Sequence, residues 1–102
     1  MPPHRPILAA LAAAALLLPG QAQAEPRAGI LDECAACHGV DGIARDTEVP
    51  HIAGQNERYL YNQMMAFRSG KRAHKEMRYM ARSMSAADIA ALAAYYAALP
   101  PR

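Results

Sequence analysis

The stretch Cys34-Ala35-Ala36-Cys37-His38 decides how the rest of the chain reads. Two thiols three positions apart share one face of a helical turn, and the imidazole next along the turn can reach beneath whatever the thiols hold. A bare pair of cysteines at this spacing is ambiguous, because dithiol redox motifs, structural disulfides and half zinc sites all use it. A zinc site needs two more ligands at matching spacing, and the chain has only these two cysteines. The histidine discriminates. Cys-x-x-Cys-His is the pattern in which each thiol bonds covalently to a porphyrin and the imidazole binds its iron, as in a c-type haem. Cys34 and Cys37 are therefore expected to be haem thioethers and His38 the proximal iron ligand, with a thiol redox pair as the alternative.

Upstream, residues 1–24 have the layout of a cleaved secretory signal peptide. His4 and Arg5 form its basic end, Ile7 to Leu18 an apolar run of twelve, and Ala22-Gln23-Ala24 a small-residue cleavage site. Twelve apolar residues ending at Pro19-Gly20 fall short of the roughly 20 needed to span a bilayer. The expectation is export, cleavage before Glu25, and no stable membrane insertion afterwards. An oxidising destination would equally suit a disulfide.

Residues 25–102 then make one small domain. The overall hydrophobic content of 53% is inflated by the alanine-rich leader, so the true core is lean. A domain of this size buries proportionately little surface and usually needs a disulfide, a metal or a cofactor as a staple. A haem supplies a large apolar disc, which suits a chain with one phenylalanine, five tyrosines and no tryptophan.

The pattern is all helical with long loops, without period-two strands. A short helix is expected from about Arg27 through Cys37, with Ile30 and Leu31 inward and Asp32 and Glu33 outward. Gly39 to Gly54 reads as an irregular loop. A second helix should start near the cap residue Asn56 and end at Ser69-Gly70, its inward stripe being Leu60, Met64 and Phe67. A loop is expected from Lys71 to about Met84. Ser85 then caps a last helix, with Asp88 three residues on and Met84 and Ile89 placed as a hydrophobic staple. Ile89, Leu92, Ala93, Tyr96 and Leu99 give that helix its apolar face, and Pro100-Pro101 ends it.

An iron held by His38 needs a ligand on its other side. Met64, Met65, Met77, Met80, Met84, His51 and His74 are the candidates. Met64 is accounted for by the helix stripe and Met84 by the staple, whereas Met65 lies off the stripe with no evident role. Met77 and Met80 stand in the expected loop, where backbone freedom lets a side chain reach across a haem. A thioether ligand is soft and neutral, favours ferrous iron and so raises the potential.

At this level of detail the chain resembles the small bacterial class I cytochromes c, including the half-domains of dihaem members. The resemblance runs from CAACHG at Cys34 through PHIAGQ at Pro50, ERYL at Glu57 and FRSGKR at Phe67 to MSAADIAALAAYY at Met84. It implies a cytochrome c-like fold, three or four short helices around one covalently attached haem c, and a periplasmic location. It also implies an axial methionine seven residues before the apolar position that precedes the last cap; with Met84 there, the ligand is Met77, Met80 being the alternative. Pro50 corresponds to the proline whose carbonyl accepts a hydrogen bond from the proximal histidine, and Ile52 should pack on the haem edge. Arg27 stands where such proteins often carry a glycine that lets the first and last helices cross closely. The loop from Ser69 to Met77 is short for the family, which implies a more exposed haem.

Charge is uneven although the net over residues 25–102 is only +1. Residues 68–82 hold six bases, Arg68, Lys71, Arg72, Lys75, Arg78 and Arg82, against Glu76 alone, while residues 25–57 hold seven acids and two bases. A basic rim of this kind steers acidic redox partners, or else is a solvated loop that lends an arginine or two to the haem propionates. Nucleic acid is excluded by export and by the lack of stacking aromatics beyond Tyr79. No catalytic triad, paired-carboxylate site or phosphate-binding glycine loop is present. The chain therefore reads as a periplasmic electron-transfer protein, not itself an enzyme. The alternatives are the haem subunit of a dehydrogenase or oxidase complex, for instance one acting on sulfur compounds, then a gas-binding haem protein.

Overall fold

The caps written into the sequence set the helices. The structure, a computed structural model, describes residues 1–4, 6 and 25–102; the expected leader therefore lies, apart from its first few positions, outside the described residues. Four helices and no strands are found among the described residues: α1 (Ile30–His38), α2 (Glu57–Ser69), α3 (Lys75–Ala81) and α4 (Ala86–Ala97).

At α2 the Asn56 side chain accepts the Tyr59 backbone N–H at 3.0 Å, and Gly70, at φ 82°, closes the other end in the left-handed conformation that glycine adopts most readily. At α4 the Ser85 hydroxyl accepts the Asp88 N–H at 3.0 Å while the Asp88 carboxylate accepts the Ser85 N–H at 3.1 Å, a complete capping box. Met84 and Ile89, expected as its staple, are both buried. The first helix starts later than expected, at Ile30, because Gly29 takes a left-handed conformation just before it.

Residues 75–81 correct the expectation of a loop from Lys71 to Met84. They form α3, and Met77 and Met80 both lie on it. Its cap is the ring of His74, whose Nδ1 accepts the Met77 N–H at 3.2 Å. Glu76 lies in the first turn, where a negative charge complements the helix dipole, and the run Lys-Glu-Met-Arg-Tyr-Met-Ala is rich in helix formers.

α2 packs against both α4 and α3. The buried core is small: Ile30 from α1, Met84 before α4, and Ile89, Leu92 and Tyr96 from α4. On α2 only Phe67 is fully buried; Leu60 and Met64 lie half-buried against the core, and so does Met65, which the stripe had left out. Arg27 spans to Asp88 at 3.7 Å, tying the lead-in of α1 to the first turn of α4 at the position where a glycine crossing would stand.

Asp88 is thus held by two elements. The Ser85 backbone N–H, with smaller help from the Ser85 side chain and Arg27, keeps its carboxyl below the usual carboxylate range. A carboxylate with a lowered folded pKa adds stability that is fully present above its unfolded value, near pH 4, and is lost as pH falls through the folded value. Asp88→Asn is expected to lower Tm at pH 7 and to narrow the gap from wild type as pH falls towards 3. Thermal melts across that range check it; a constant gap would show that the carboxylate's charge is not what stabilises the cap.

Candidate functional site

His38 is the last residue of α1, and the chain turns away at once through Gly39, at φ 84°. The imidazole Nδ1 lies 2.9 Å from the Pro50 carbonyl oxygen. A carbonyl only accepts, so the proton must be on Nδ1, and the Nε2 lone pair is left free to bind a metal.

The loop between them is shaped for this contact. The Gly42 carbonyl accepts two N–H groups, from Ile52 at 2.9 Å and Ala53 at 3.1 Å, folding the chain back so that Ile52 and Ala53 meet Gly42. Gly42 has φ 73°, and a Cβ there would meet Ala53 atoms at 2.8–3.0 Å. His51 points its Nδ1 at the Ala44 N–H, 2.9 Å away, so it serves as a loop staple. Together with the capping role of His74, this gives both other histidines of residues 25–102 a structural explanation.

Both thiols are free and lie one turn apart on α1, Cys37 exposed and Cys34 half-buried against the core. Burial first, then the Glu33 charge, pushes the Cys34 thiol up to about 11, so it is neutral at pH 7. Ile52 is half-buried against the same core. With Leu31, Leu60, Met64 and Met80 it belongs to a rim of partly exposed apolar side chains around the five buried ones. Such a rim suits an apolar disc, which would cover it.

A second observation fits a bound group. Tyr96 is 3% exposed, and its hydroxyl is buried without a hydrogen-bond partner, the one such side-chain atom among the described residues. Leaving a buried hydroxyl unsatisfied costs about 1–3 kcal/mol. Burial raises the pKa of the phenol and keeps it a donor. Sequence reasoning placed Tyr96 on an apolar face and went no further; the missed signal was a hydroxyl within a stripe of isoleucine, leucine and alanine.

The two methionines of α3 differ. Met80 packs against the buried core, whereas Met77, one turn earlier, is half-buried outside it. The basic segment is ordered by aromatic rings: the Arg72 guanidinium lies 4.6 Å from the Phe67 ring and donates to the Gln63 side chain at 2.7 Å, and Arg82 lies 4.8 Å from the exposed Tyr79 ring.

Comparison with known proteins agrees with this geometry. A family model described as cytochrome c matches residues 24–99. Cytochrome c4 of Pseudomonas aeruginosa is 45% identical over 64 residues, which span 63% of this chain and 32% of that protein. A protein named thiosulfate dehydrogenase electron acceptor, from Thiomonas intermedia, is 42% identical over 69 residues, 67% of this chain and 32% of that one. The solved structure of reduced recombinant cytochrome c4 from Pseudomonas stutzeri superposes with a TM-score of 0.61 at 33% identity, covering 69% of this chain and 42% of that one. The chain thus spans about a third of the length of these two curated relatives.

Gly42 provides a test of how the site is positioned. Gly42→Ala forces a side chain into a left-handed backbone and against Ala53, so it should destabilise the fold by about 1–3 kcal/mol. A fall in the urea midpoint at unchanged slope is the expected result; an unchanged midpoint would mean that the loop relaxes freely and does not fix Pro50.

Proposed function

The chain belongs to the cytochrome c family and carries covalently bound haem c for electron transfer, and from that premise we propose that it is an exported, periplasmic monohaem carrier in which Cys34 and Cys37 form the thioethers, His38 is the proximal ligand and Met77 the distal one. The signal segment 1–24 is part of this proposal. The observation that carries it is the His38–Pro50 hydrogen bond, because it leaves Nε2 as the free nitrogen of an imidazole that directly follows the two thiols.

When bound, haem c supplies a one-electron ferric–ferrous couple. The chain's own residues hold it. Pro50 orients the His38 ring and, by accepting a hydrogen bond from its Nδ1–H, makes Nε2 a better donor to iron. Met77 has no role in the buried core, and its neutral thioether favours the ferrous state. Met80, by contrast, is engaged in packing. Ile52 and the apolar rim exclude water from its edge.

Redox partners are proposed to dock near the basic segment 68–82. Arg72 and Arg82 are held by aromatic rings, so less side-chain freedom is lost on meeting an acidic surface. The likeness to a thiosulfate dehydrogenase electron acceptor favours a second reading, the haem subunit of a sulfur-compound-oxidising complex. Co-purification with a larger catalytic subunit distinguishes that from a free carrier.

The first test is the visible spectrum of the exported protein, oxidised and reduced, with carbon monoxide added to the reduced sample. A low-spin spectrum with the weak far-red band of ferric iron on methionine sulfur, unchanged by carbon monoxide, is expected. Met77→Ala should abolish that band and admit carbon monoxide, while Met80→Ala should keep the band and lower Tm; the reverse pattern would assign the ligand to Met80. A wild type that binds carbon monoxide readily would point to an open iron position, and one without haem bands would leave only the dithiol.

Neutralising Lys71, Arg72 and Lys75 together should slow electron transfer to an acidic partner by about tenfold at low salt, the gap closing as ionic strength rises. Stopped-flow rates over a salt series measure it. An unchanged rate that is also insensitive to salt rejects docking through this segment.

A further inference from the structure

His74 does more than start a helix. Its carbonyl accepts the Arg78 N–H at 2.9 Å and its ring Nδ1 accepts the Met77 N–H at 3.2 Å, so the backbone and side chain of one residue hold two consecutive positions of α3. The Glu76 carboxylate stands 3.6 Å from the same nitrogen, too far for a hydrogen bond, and an accepting Nδ1 puts the ring proton on Nε2. The ring itself is anchored on α2. It meets the buried Phe67 ring edge-on, with centroids 6.1 Å apart and planes at 63°, and the Arg72 N–H just upstream donates to the Ala66 carbonyl at 3.1 Å. A line of contacts therefore runs from Ala66 and Phe67 through His74 to the backbone of Met77. That Met77 N–H is one of the first-turn donors for which a helix has no internal acceptor.

We propose that His74 is the positioning residue for the distal ligand, its cap on the Met77 N–H and the bond from the Met77 sulfur to iron forming and breaking together. This rests on the reading that Met77 is that ligand. The physical reason is the shortness of α3. Seven residues make about two turns, and a helix of that length is unstable in water by itself, so its first turn depends on what caps it. Release of the cap frees the backbone angles of residues 75–77, and with them the Cα from which the thioether hangs. Holding that residue in place beforehand reduces the entropy lost when sulfur meets iron. Ligation in turn removes the states in which the cap frays, and the coupling is equal in both directions. His74 acts through Met77.

The test uses the ferric, haem-loaded protein and free imidazole, which binds the iron only where the methionine has left it. A far-red band missing from the wild type, or one that survives Met77→Ala, overturns the ligand reading and this inference with it, before His74 is altered. With that reading in place, His74→Ala should tighten the apparent affinity for imidazole by about two- to thirtyfold, the range spanned by loss of one helix cap. His74→Asn, which offers a capping oxygen but no ring to Phe67, should restore the wild-type affinity. An unchanged affinity in His74→Ala, with only Tm lowered, overturns the proposal. So does an Asn variant as loose as the Ala variant, because the effect then belongs to ring packing. Hydrogen exchange in the wild type decides the matter even if the variants fold poorly. The Met77 amide should exchange about two- to thirtyfold faster once imidazole saturates the iron, the same factor read from the other side. A Met77 exchange rate indifferent to imidazole overturns the coupling.

Discussion

The hydrogen bond from His38 to the Pro50 carbonyl is the contact on which the rest of the site depends. It joins the end of a helix to the far side of a twelve-residue detour and fixes one imidazole tautomer. The detour exists to make it. α1 has to stop at His38, which Gly39 achieves, and residues 50–53 have to return, which the doubly accepting Gly42 carbonyl achieves. The Ala44–His51 bond holds the loop between them. Irregular backbone is thereby made as definite as a helix by a few bonds, each closing a short circuit in the chain. The orientation of the ring and the basicity of its free nitrogen both follow from one donor meeting one acceptor.

The second constraint is scarcity of core. Five residues form the buried cluster, and most of the apolar side chains packed on them are only half-buried. Small domains bury a modest fraction of their surface, so side chains alone give limited stability. The cofactor of this family is a large apolar disc, and the half-buried rim is matched to such a partner. Haem is therefore part of the packing as well as the redox centre. The helix pairing agrees: α2 is the common support of α3 and α4, and α1 is held by Ile30 in the core and by the Arg27–Asp88 pair.

How much of this could be read from the sequence depended on whether a residue acts through its own identity or through its neighbours. Asn56, Ser85 and Asp88 are cap residues by chemistry, and the helices began where they said. The contact between His38 and Pro50 was legible for the same reason. Helix α3 was not, because its cap is an imidazole nitrogen, a role that His74 shares with few histidines and that competes with the expectation of a loop after Gly70. Met65 was left without a role because a strict stripe is narrower than the surface α2 offers to the core. Tyr96 was legible as apolar bulk but not as an orphaned donor, since a hydroxyl's lack of a partner is a property of everything around it.

Helix α3 brings these threads together. Seven residues are too few for a helix to be stable alone, so its order comes from the His74 cap and from packing on α2. On that one element lie Met77, the proposed distal ligand, and Lys75 and Arg78 of the proposed docking face, with Arg82 just beyond its end. Arg78 also lies against Gly70, where a Cβ would meet its guanidinium at 2.7 Å, so the basic side chains are braced by the helix terminus they follow. Ligation and docking then share a mechanical support. On the proposed ligation and docking, whatever fixes Met77 also fixes the charges a partner meets, and a ligand bond from Met77 would steady a helix that sequence propensity alone leaves marginal. In the proposed arrangement the cofactor would organise the surface through which its electron leaves.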